Sequence, residues 1–169
     1  MKRVYLLRHA KSSWKDRSLA DRDRPLARRG RRAAKAMARH LAAEEIRPDL
    51  VLCSSALRTR ETLERIEPAF RGEVEAKVDE ALYGASEASL FERLRLLPEE
   101  IGSAMLIGHN PGLEELGLAL ASEGEGLVRM REKYPTAALA TIDLPAERWS
   151  AIERGSGELV GYVRPSDLE

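Results

Sequence analysis

Four short apolar runs, each bounded by charged residues or glycine, constrain the fold of this chain more than any other sequence feature. Apolar runs of this length are typical of strands that are buried on both faces of a sheet. The runs cover Val4 to Leu7, Leu50 to Cys53, Met105 to Ile107 and Ala137 to Ile142. The alternating stretches Val74 to Val78 and Leu159 to Val163 predict two further strands, each with one more exposed face.

Helical periodicity appears between these runs. Apolar residues recur three and four positions apart in Ala34, Met37, Ala38, Leu41 and Ala42. The stretches Leu57 to Phe70 and Leu90 to Leu97 can also be read as helical. Strands that alternate with helices predict an α/β fold, here a three-layer α/β/α sandwich around a mainly parallel central sheet.

The length of the chain and two irregular stretches bear on its organisation. The chain has 169 residues, of which 43% are hydrophobic, and this is enough for one sizeable core. We therefore expect a single domain over residues 1–169. Charge and glycine are dense and apolar periodicity lapses in Ser12 to Arg24 and in Ser122 to Pro135, which predicts long surface loops there.

Charge and cysteine content exclude several classes of function. Lysine and arginine together number 28, as do aspartate and glutamate, so no net charge favours nucleic acid as a partner. Cys53 is the one cysteine, which excludes an internal disulfide and a thiolate metal cluster and fits a reducing cytoplasm. The first apolar run is too short for a signal sequence, and no stretch approaches membrane length. We expect a cytoplasmic protein with no membrane or nucleic-acid partner.

Reactive side chains follow three of the four apolar runs. The first run leads into Arg8 and His9, the second into Ser54, Ser55 and Arg58, and the third into His109 and Asn110. Ligands of open α/β sheets bind at the carboxyl ends of the strands. Two imidazoles and two guanidiniums at one such edge match a phosphoryl group, because arginine offers a charged planar fork to its oxygens. The sequence therefore predicts a phosphoryl-binding site.

The serines after the second run predict a further contribution to this site. Ser54 or Ser55 is placed to cap a helix that begins near Ala56. Such a helix would direct free backbone N–H groups toward the same anion and would carry Arg58 in its first turn.

Each of these residues taken alone has a simpler interpretation. A single histidine at a strand end is often structural, and Arg58 could pair with Glu61 one helical turn away. Cys53 before a helix is reminiscent of the cysteine-dependent phosphatases. The spacing fails, however, because the four residues between Cys53 and Arg58 are one fewer than in that class. A buried, inert cysteine is therefore predicted.

A basic run between the first two strands suggests an RNA-binding surface as one interpretation. No stacking aromatic residues accompany it, although recognition of single strands usually needs them. Acidic residues follow at Glu44 and Glu45, so a solvated helix face is the better prediction. The run consists of Arg28, Arg29, Arg31, Arg32, Lys35 and Arg39.

Three segments, taken together and in this order, resemble the histidine phosphatase superfamily, formerly called the phosphoglycerate mutase-like family. Leu7-Arg8-His9-Ala10 resembles its Arg-His-Gly signature, Ser54 to Thr62 its second-arginine segment and Gly108-His109-Asn110-Pro111 its second-histidine segment. Within the superfamily, Arg8 to Ser12 and Asp23 to Leu26 with Gly30 most resemble the SixA-type phosphohistidine phosphatases. The resemblance implies a phosphoglycerate mutase-like fold.

The resemblance also implies a mechanism. His9 would be a nucleophile that becomes transiently phosphorylated, while Arg8, Arg58 and His109 would bind the phosphoryl oxygens. Water would then cleave the phosphohistidine, with no metal and no cofactor. The attacking nitrogen of His9 must be neutral, which a hydrogen bond from the other ring nitrogen to a backbone carbonyl would secure. At the end of its strand, His9 is expected to face solvent.

The general acid and the substrate stay open at this point. Many relatives use a glutamate after the third strand, and Glu80 stands in about that region, but SixA-type proteins are thought to manage without a strong acid. The substrate would be a phosphohistidine on a partner protein or a small phosphoester. A mutase is disfavoured because about fifty residues between Arg58 and His109 leave little room for a large lid. A non-enzymatic phospholigand-binding module would not require His9.

Overall fold

One sheet of seven strands forms the middle layer of the protein, and the computed structural model describes residues 1–169 in full. The strands are β1 (Lys2–Arg8), β2 (Leu50–Ser54), β3 (Glu75–Asp79), β4 (Ser103–Gly108), β5 (Ala121–Glu123), β6 (Leu139–Leu144) and β7 (Gly157–Val163). Their spatial order is β3-β2-β4-β1-β6-β7-β5. Only β6 runs against the others, being antiparallel to both of its neighbours. The prediction of a mainly parallel sheet is confirmed.

Five helices cover the two faces of this sheet. They are α1 (Arg28–Ala43), α2 (Leu57–Ile66), α3 (Glu87–Arg95), α4 (Gly112–Leu120) and α5 (Leu127–Glu132). Buried residues of α1 and α2 pack on one face, whereas those of α3, α4 and α5 pack on the other. The three-layer α/β/α sandwich is therefore confirmed. No helix combines the length and the apolar character that crossing a membrane would require.

The central strand β1 shows why its apolar run is continuous. Val4 and Leu6 are fully buried in the core beneath α3 and α4, and Leu7 is fully buried in the core beneath α1 and α2. Successive side chains of a strand point to opposite faces, so a strand covered on both sides must be apolar at every position. Burying each leucine stabilises the fold by roughly 1.5–3 kcal/mol.

Helix α1 rests directly on the backbone that follows β1. Ala34, Met37 and Leu41 form its buried face, as the periodicity predicts. At Gly30, a Cβ atom would lie 2.0 Å from the carbonyl oxygen of Lys11, so only glycine allows this approach. The N–H of Ala27 donates to the same carbonyl at 2.9 Å. The segment after β1 is thereby held against the start of the helix.

Of the two stretches predicted as surface loops, one differs from the prediction. The loop predicted over Ser122 to Pro135 is wrong, because strand β5 and helix α5 lie there. Leu127 and Met130, three residues apart, are buried in the core and give this short helix its apolar face. The stretch from Ser12 to Arg24 is irregular as predicted, apart from one 3₁₀ turn over residues 21–23 and the bridge from Ser12 to Leu26.

Candidate active site

The carboxyl ends of three neighbouring strands, β2, β4 and β1, bring the predicted residues together. The rings of His9 and His109, which follow β1 and β4, have centroids 5.3 Å apart. Arg58 is the second residue of α2, and its Nη2 lies 3.5 Å from Nδ1 of His109. Arg8 ends β1, directly before His9. Four of the five predicted site residues therefore meet at one sheet edge.

His9 is buried, with 7% of its surface exposed, so the prediction that it faces solvent is wrong. After β1 the chain stays attached to its neighbours: the N–H of His9 donates to Gly108 O at 3.1 Å, and that of Ala10 donates to Thr62 Oγ1 at 3.0 Å. These bonds hold the His9 backbone against β4 and α2.

The hydrogen bonding of His9 determines which ring nitrogen is available. Nδ1 lies 2.8 Å from the carbonyl oxygen of Ala10. A carbonyl only accepts, so Nδ1 carries the proton and the lone pair of Nε2 is free. Burial, with smaller contributions from His109 and the two arginines, lowers the pKa of His9 to about 3. The ring is therefore neutral at pH 7.

His109 is held by a serine. Its Nε2 lies 2.7 Å from Ser54 Oγ, and a hydroxyl can donate to or accept from either tautomer of the ring. Burial, followed by the charge of Arg58, lowers the pKa of His109 to about 4, so this ring is neutral as well. The predicted capping role of Ser54 or Ser55 is wrong: Ala56 is the N-cap residue of α2 and no side chain caps the helix.

Arg58 is held by an aspartate that the sequence did not indicate. Its Nη1 donates to Asp21 O at 2.8 Å and its Nη2 to Asp21 Oδ2 at 3.0 Å. The alternative pairing of Arg58 with Glu61 is wrong, because Glu61 Oε1 accepts from the N–H of Leu26 at 2.8 Å. Asp21 lies in the irregular stretch between β1 and α1, where no periodicity points to a position near Arg58.

Asp21 also connects the site to Tyr83. The Tyr83 hydroxyl donates to Asp21 Oδ2 at 2.6 Å, and its ring stands edge-on to His109 with centroids 5.6 Å apart. The hydrogen bond from Tyr83 and the charge of Arg58 lower the pKa of Asp21 to about 2. The carboxylate is therefore ionised at neutral pH, and it orients both side chains.

Both arginines keep donors that no protein group satisfies. The Nε atoms of Arg8 and Arg58 are buried and make no hydrogen bond. The Nη1 of Arg8 donates to Tyr134 O at 3.0 Å. Each guanidinium is thus fixed by an oxygen of the protein while a further N–H can serve an anion, which suits recognition of phosphoryl oxygens.

Glu80, the fifth predicted residue, is not brought to these side chains. It follows β3, its side chain is 67% exposed, and its Oε1 lies 2.6 Å from Arg22 Nη2. The hydrogen bond from Arg22 lowers the pKa of Glu80. None of its contacts is to His9, His109 or Arg58. The guanidinium of Arg22 lies 4.7 Å from the ring centre of Tyr83, and Tyr83 contacts His109. Two side chains, Arg22 and Tyr83, therefore stand between Glu80 and His109.

Cys53 is the alternative nucleophile that the sequence raised. It is fully buried in the core beneath α1 and α2, and burial raises the pKa of its thiol to about 12. A reactive cysteine needs an accessible thiolate, so this environment favours the packing role that was predicted. No three side chains of His, Cys, Asp or Glu are grouped so that they could hold a metal ion.

Comparison with known proteins adds independent findings. Residues 4–104 match the Histidine phosphatase superfamily (branch 1). The uncharacterised protein Rv1276c of Mycobacterium tuberculosis (strain ATCC 25618 / H37Rv) is 36% identical over 164 residues, which cover 94% of this chain and 99% of that protein. A solved structure from Agrobacterium tumefaciens, assigned to the phosphohistidine phosphatase SixA, is 31% identical with a TM-score of 0.83 and covers 97% of this chain and 98% of its own.

More distant solved structures share the fold. The protein histidine phosphatase SixA in complex with tungstate has a TM-score of 0.79 at 24% identity, with 99% of each chain covered. A mycobacterial glucosyl-3-phosphoglycerate phosphatase has a TM-score of 0.66 at 15% identity, with 95% of this chain and 98% of that chain covered. The same architecture therefore occurs in proteins named for different phosphorylated substrates.

Proposed function

The chain belongs to the histidine phosphatase superfamily, and we propose that it removes phosphate from protein phosphohistidine through a phosphorylated His9, without a metal ion. The observation that carries this proposal is the state of His9. The ring is buried and neutral, its Nδ1 is committed to Ala10 O so that Nε2 is free, and the charges of Arg58 and Arg8 act on the ring. This combination is what a nucleophilic imidazole requires.

In the first step, the Nε2 lone pair of His9 attacks the phosphorus of the substrate. The bond from phosphorus to the substrate imidazole breaks, and its electron pair returns to that ring. Arg8, Arg58 and His109 would hold the three oxygens of the transferring group, where charge is spread in the transition state. The hydrogen bond from Nδ1 to Ala10 O stabilises the positive charge that the His9 ring acquires.

In the second step, water attacks the phosphorus and the bond to Nε2 breaks. The electron pair of that bond restores the lone pair of His9, and inorganic phosphate with one proton of the water leaves. The other proton goes to solvent or to the phosphate itself. The proposed cycle thus returns His9 to the neutral form that the buried ring favours.

The environment of Glu80 supports phosphohistidine as the substrate rather than an alkyl ester. A general acid works best when its pKa is raised toward neutrality, whereas Arg22 lowers the pKa of Glu80. A departing alkoxide needs a proton from such an acid. A phosphohistidine nitrogen can already be protonated near neutral pH, so its departure does not depend on Glu80.

A small phosphoester remains the second candidate, and the fold shared with a glucosyl-3-phosphoglycerate phosphatase favours it. A mutase fits less well. The residues between Arg58 and His109 form the rest of α2, β3, α3 and β4, and none of these is an additional lid over the site. A cytoplasmic location stays a prediction. The free, buried thiol of Cys53 is compatible with it.

A change of Glu80→Gln tests the substrate class. We expect hydrolysis of a phosphohistidine protein and of p-nitrophenyl phosphate to change less than ~3-fold, because neither leaving group needs a strong acid. Turnover of glycerol phosphate should be slow in both proteins. Rates measured with EDTA present should equal those without it if no metal takes part.

The matched control is Glu75→Gln, which removes an exposed carboxylate at the start of β3, the strand that Glu80 follows. Strong wild-type activity on glycerol phosphate that falls ~100-fold in Glu80→Gln alone would make Glu80 the general acid of an ester phosphatase. Absence of any phosphate release from all three substrates would instead favour the binding module.

A further inference from the structure

A basic groove runs beside the candidate active site. Its volume is about 830 Å³, and it lies between the first turns of α1, the segment joining α5 to β6, and the C-terminal 3₁₀ turn at residues 165–168. Its cationic side chains come from five separate parts of the chain. They are Arg8, Lys11, Arg29, Arg32, Lys133 and Arg164, and the one acidic side chain of the lining is Glu169.

Most of these cations lack protein partners. Arg29, Arg32, Lys11 and Lys133 take part in none of the ion pairs, although the chain as a whole carries equal numbers of positive and negative residues. Their charges are therefore available to an external anion. The sequence predicts that the basic run of α1 is a solvated helix face. Two members of this run, Arg29 and Arg32, line the groove, whereas Arg28, Lys35 and Arg39 do not.

The start of α1 is arranged unfavourably for the helix itself. Its first turn carries no acidic residue and no side-chain cap, yet Arg28, Arg29 and Arg31 stand there. Cations at the positive end of a helix dipole destabilise the helix. Of these three arginines, Arg29 lines the groove, so an anion bound there would offset part of this cost.

The groove joins the phosphoryl site through Arg8. This residue lines the groove, stands next to His9 and lowers the pKa of both histidines through its charge. An anion bound in the groove would therefore lie next to the group that is transferred. The same substrate molecule can reach both places.

The form of the groove favours several carboxylates over one further phosphate. Lys11, Arg29, Arg32 and Lys133 are exposed and unpaired, so no protein contact holds them as a convergent cage for a single phosphate. The apolar lining consists of two alanines, one leucine and two prolines, with no aromatic ring on which a base could stack.

We propose that this groove binds an acidic segment of the protein substrate beside the phosphorylated histidine. This inference rests on the proposed function for the identity of the substrate, but binding of an acidic segment can be measured without any turnover. The contacts are charge pairs at the rim of the site, so they would act on recognition of the protein and leave the chemistry at His9 unchanged.

Binding of a fluorescein-labelled octaglutamate peptide, followed by fluorescence anisotropy at low salt, tests the proposal. The variant Arg29→Glu with Lys133→Glu should bind the peptide at least ~10-fold more weakly than the wild type, because two attractions become repulsions. The matched control is Arg28→Glu with Lys35→Glu, which makes the same change of charge outside the groove and should shift affinity less than ~3-fold. The four positions are exposed, so both variants should fold.

Activity separates this proposal from the proposed function. All three proteins should hydrolyse p-nitrophenyl phosphate alike, while kcat/KM for a phosphohistidine protein with an acidic surface should fall at least ~10-fold only in Arg29→Glu with Lys133→Glu. Equal peptide binding and equal turnover by the three proteins would overturn the groove proposal and leave the phosphatase intact. The wild type could instead bind the peptide through the groove but fail to hydrolyse phosphohistidine. That result would contradict the proposed substrate and leave the groove proposal standing.

A competing occupant is tested in the same assay. A labelled single-stranded RNA of equal charge could bind the wild type more tightly than the peptide does and lose that binding in Arg29→Glu with Lys133→Glu. That result would contradict the proposal that the groove binds an acidic protein segment. We expect the peptide to be the tighter ligand, because the groove offers a base no stacking surface.

Discussion

The change His9→Ala is expected to lower phosphate release by at least about a thousand-fold, because it removes the group through which the proposed covalent route passes. The folded structure should survive. The substitution removes one hydrogen bond to Ala10 O, worth about 1 kcal/mol, together with the packing of one buried ring at the edge of the sheet. Circular dichroism and thermal unfolding check the fold, and phosphate release from p-nitrophenyl phosphate checks the activity. Acid-labile label from a radioactive substrate should appear on the wild type alone.

His40→Ala is the matched control, since His40 lies on α1 away from the site. It should retain both activity and label. A His9→Ala protein that still turns over at a comparable rate would show that the nucleophile is wrong. If Cys53→Ser then lost activity while His9→Ala kept it, the nucleophile would be the Cys53 thiol, despite the burial of that thiol and its raised pKa.

Arg58→Ala is expected to lower kcat/KM by at least ~100-fold, because one preorganised charge contact to a transferring group supplies a few kcal/mol. Its partner Asp21 is half-exposed and can be hydrated after the change, so the loss should not come from unfolding. Steady-state kinetics with p-nitrophenyl phosphate measure the effect.

Arg60→Ala serves as the control for Arg58→Ala. Arg60 is exposed two residues further along α2 and donates to Ser55 O at 3.1 Å, away from both histidines. Its removal should change kcat/KM less than ~3-fold, since exposed charge contacts of this kind contribute little. Equal losses in the two variants would mean that the segment contributes through its folding and not through the guanidinium of Arg58.

The architecture was predictable because burial on both faces leaves a direct trace in sequence. Runs such as Val4 to Leu7 are uninterrupted where a strand lies between two helical layers, and their carboxyl ends indicate the site. Helix α4 was not predicted, although Leu113, Leu116 and Leu120 have helical spacing, because glycines at 112 and 117 weaken the pattern. Helix α5 has under two turns, too few for periodicity to be visible.

The site was only partly predictable, for a different reason. His9, Arg58 and His109 lie one to four residues beyond the ends of β1, β2 and β4, so topology alone brings them together. Asp21 reaches Arg58 across 37 positions from an irregular segment, and such contacts depend on tertiary packing that leaves no local pattern. The same holds for the burial of His9, which is caused by the neighbouring segments.

The way the two arginines are fixed has a consequence for the end of the reaction. Arg8 and Arg58 are anchored on oxygens of Tyr134 and Asp21, and both imidazoles are neutral, so the cations of the site neither move away nor titrate near neutral pH. Inorganic phosphate presents these donors with the same oxygens as the group in transit. In the proposed reaction, the contacts that assist transfer would therefore also oppose departure of the product, and we expect free phosphate to compete with substrate for the resting protein.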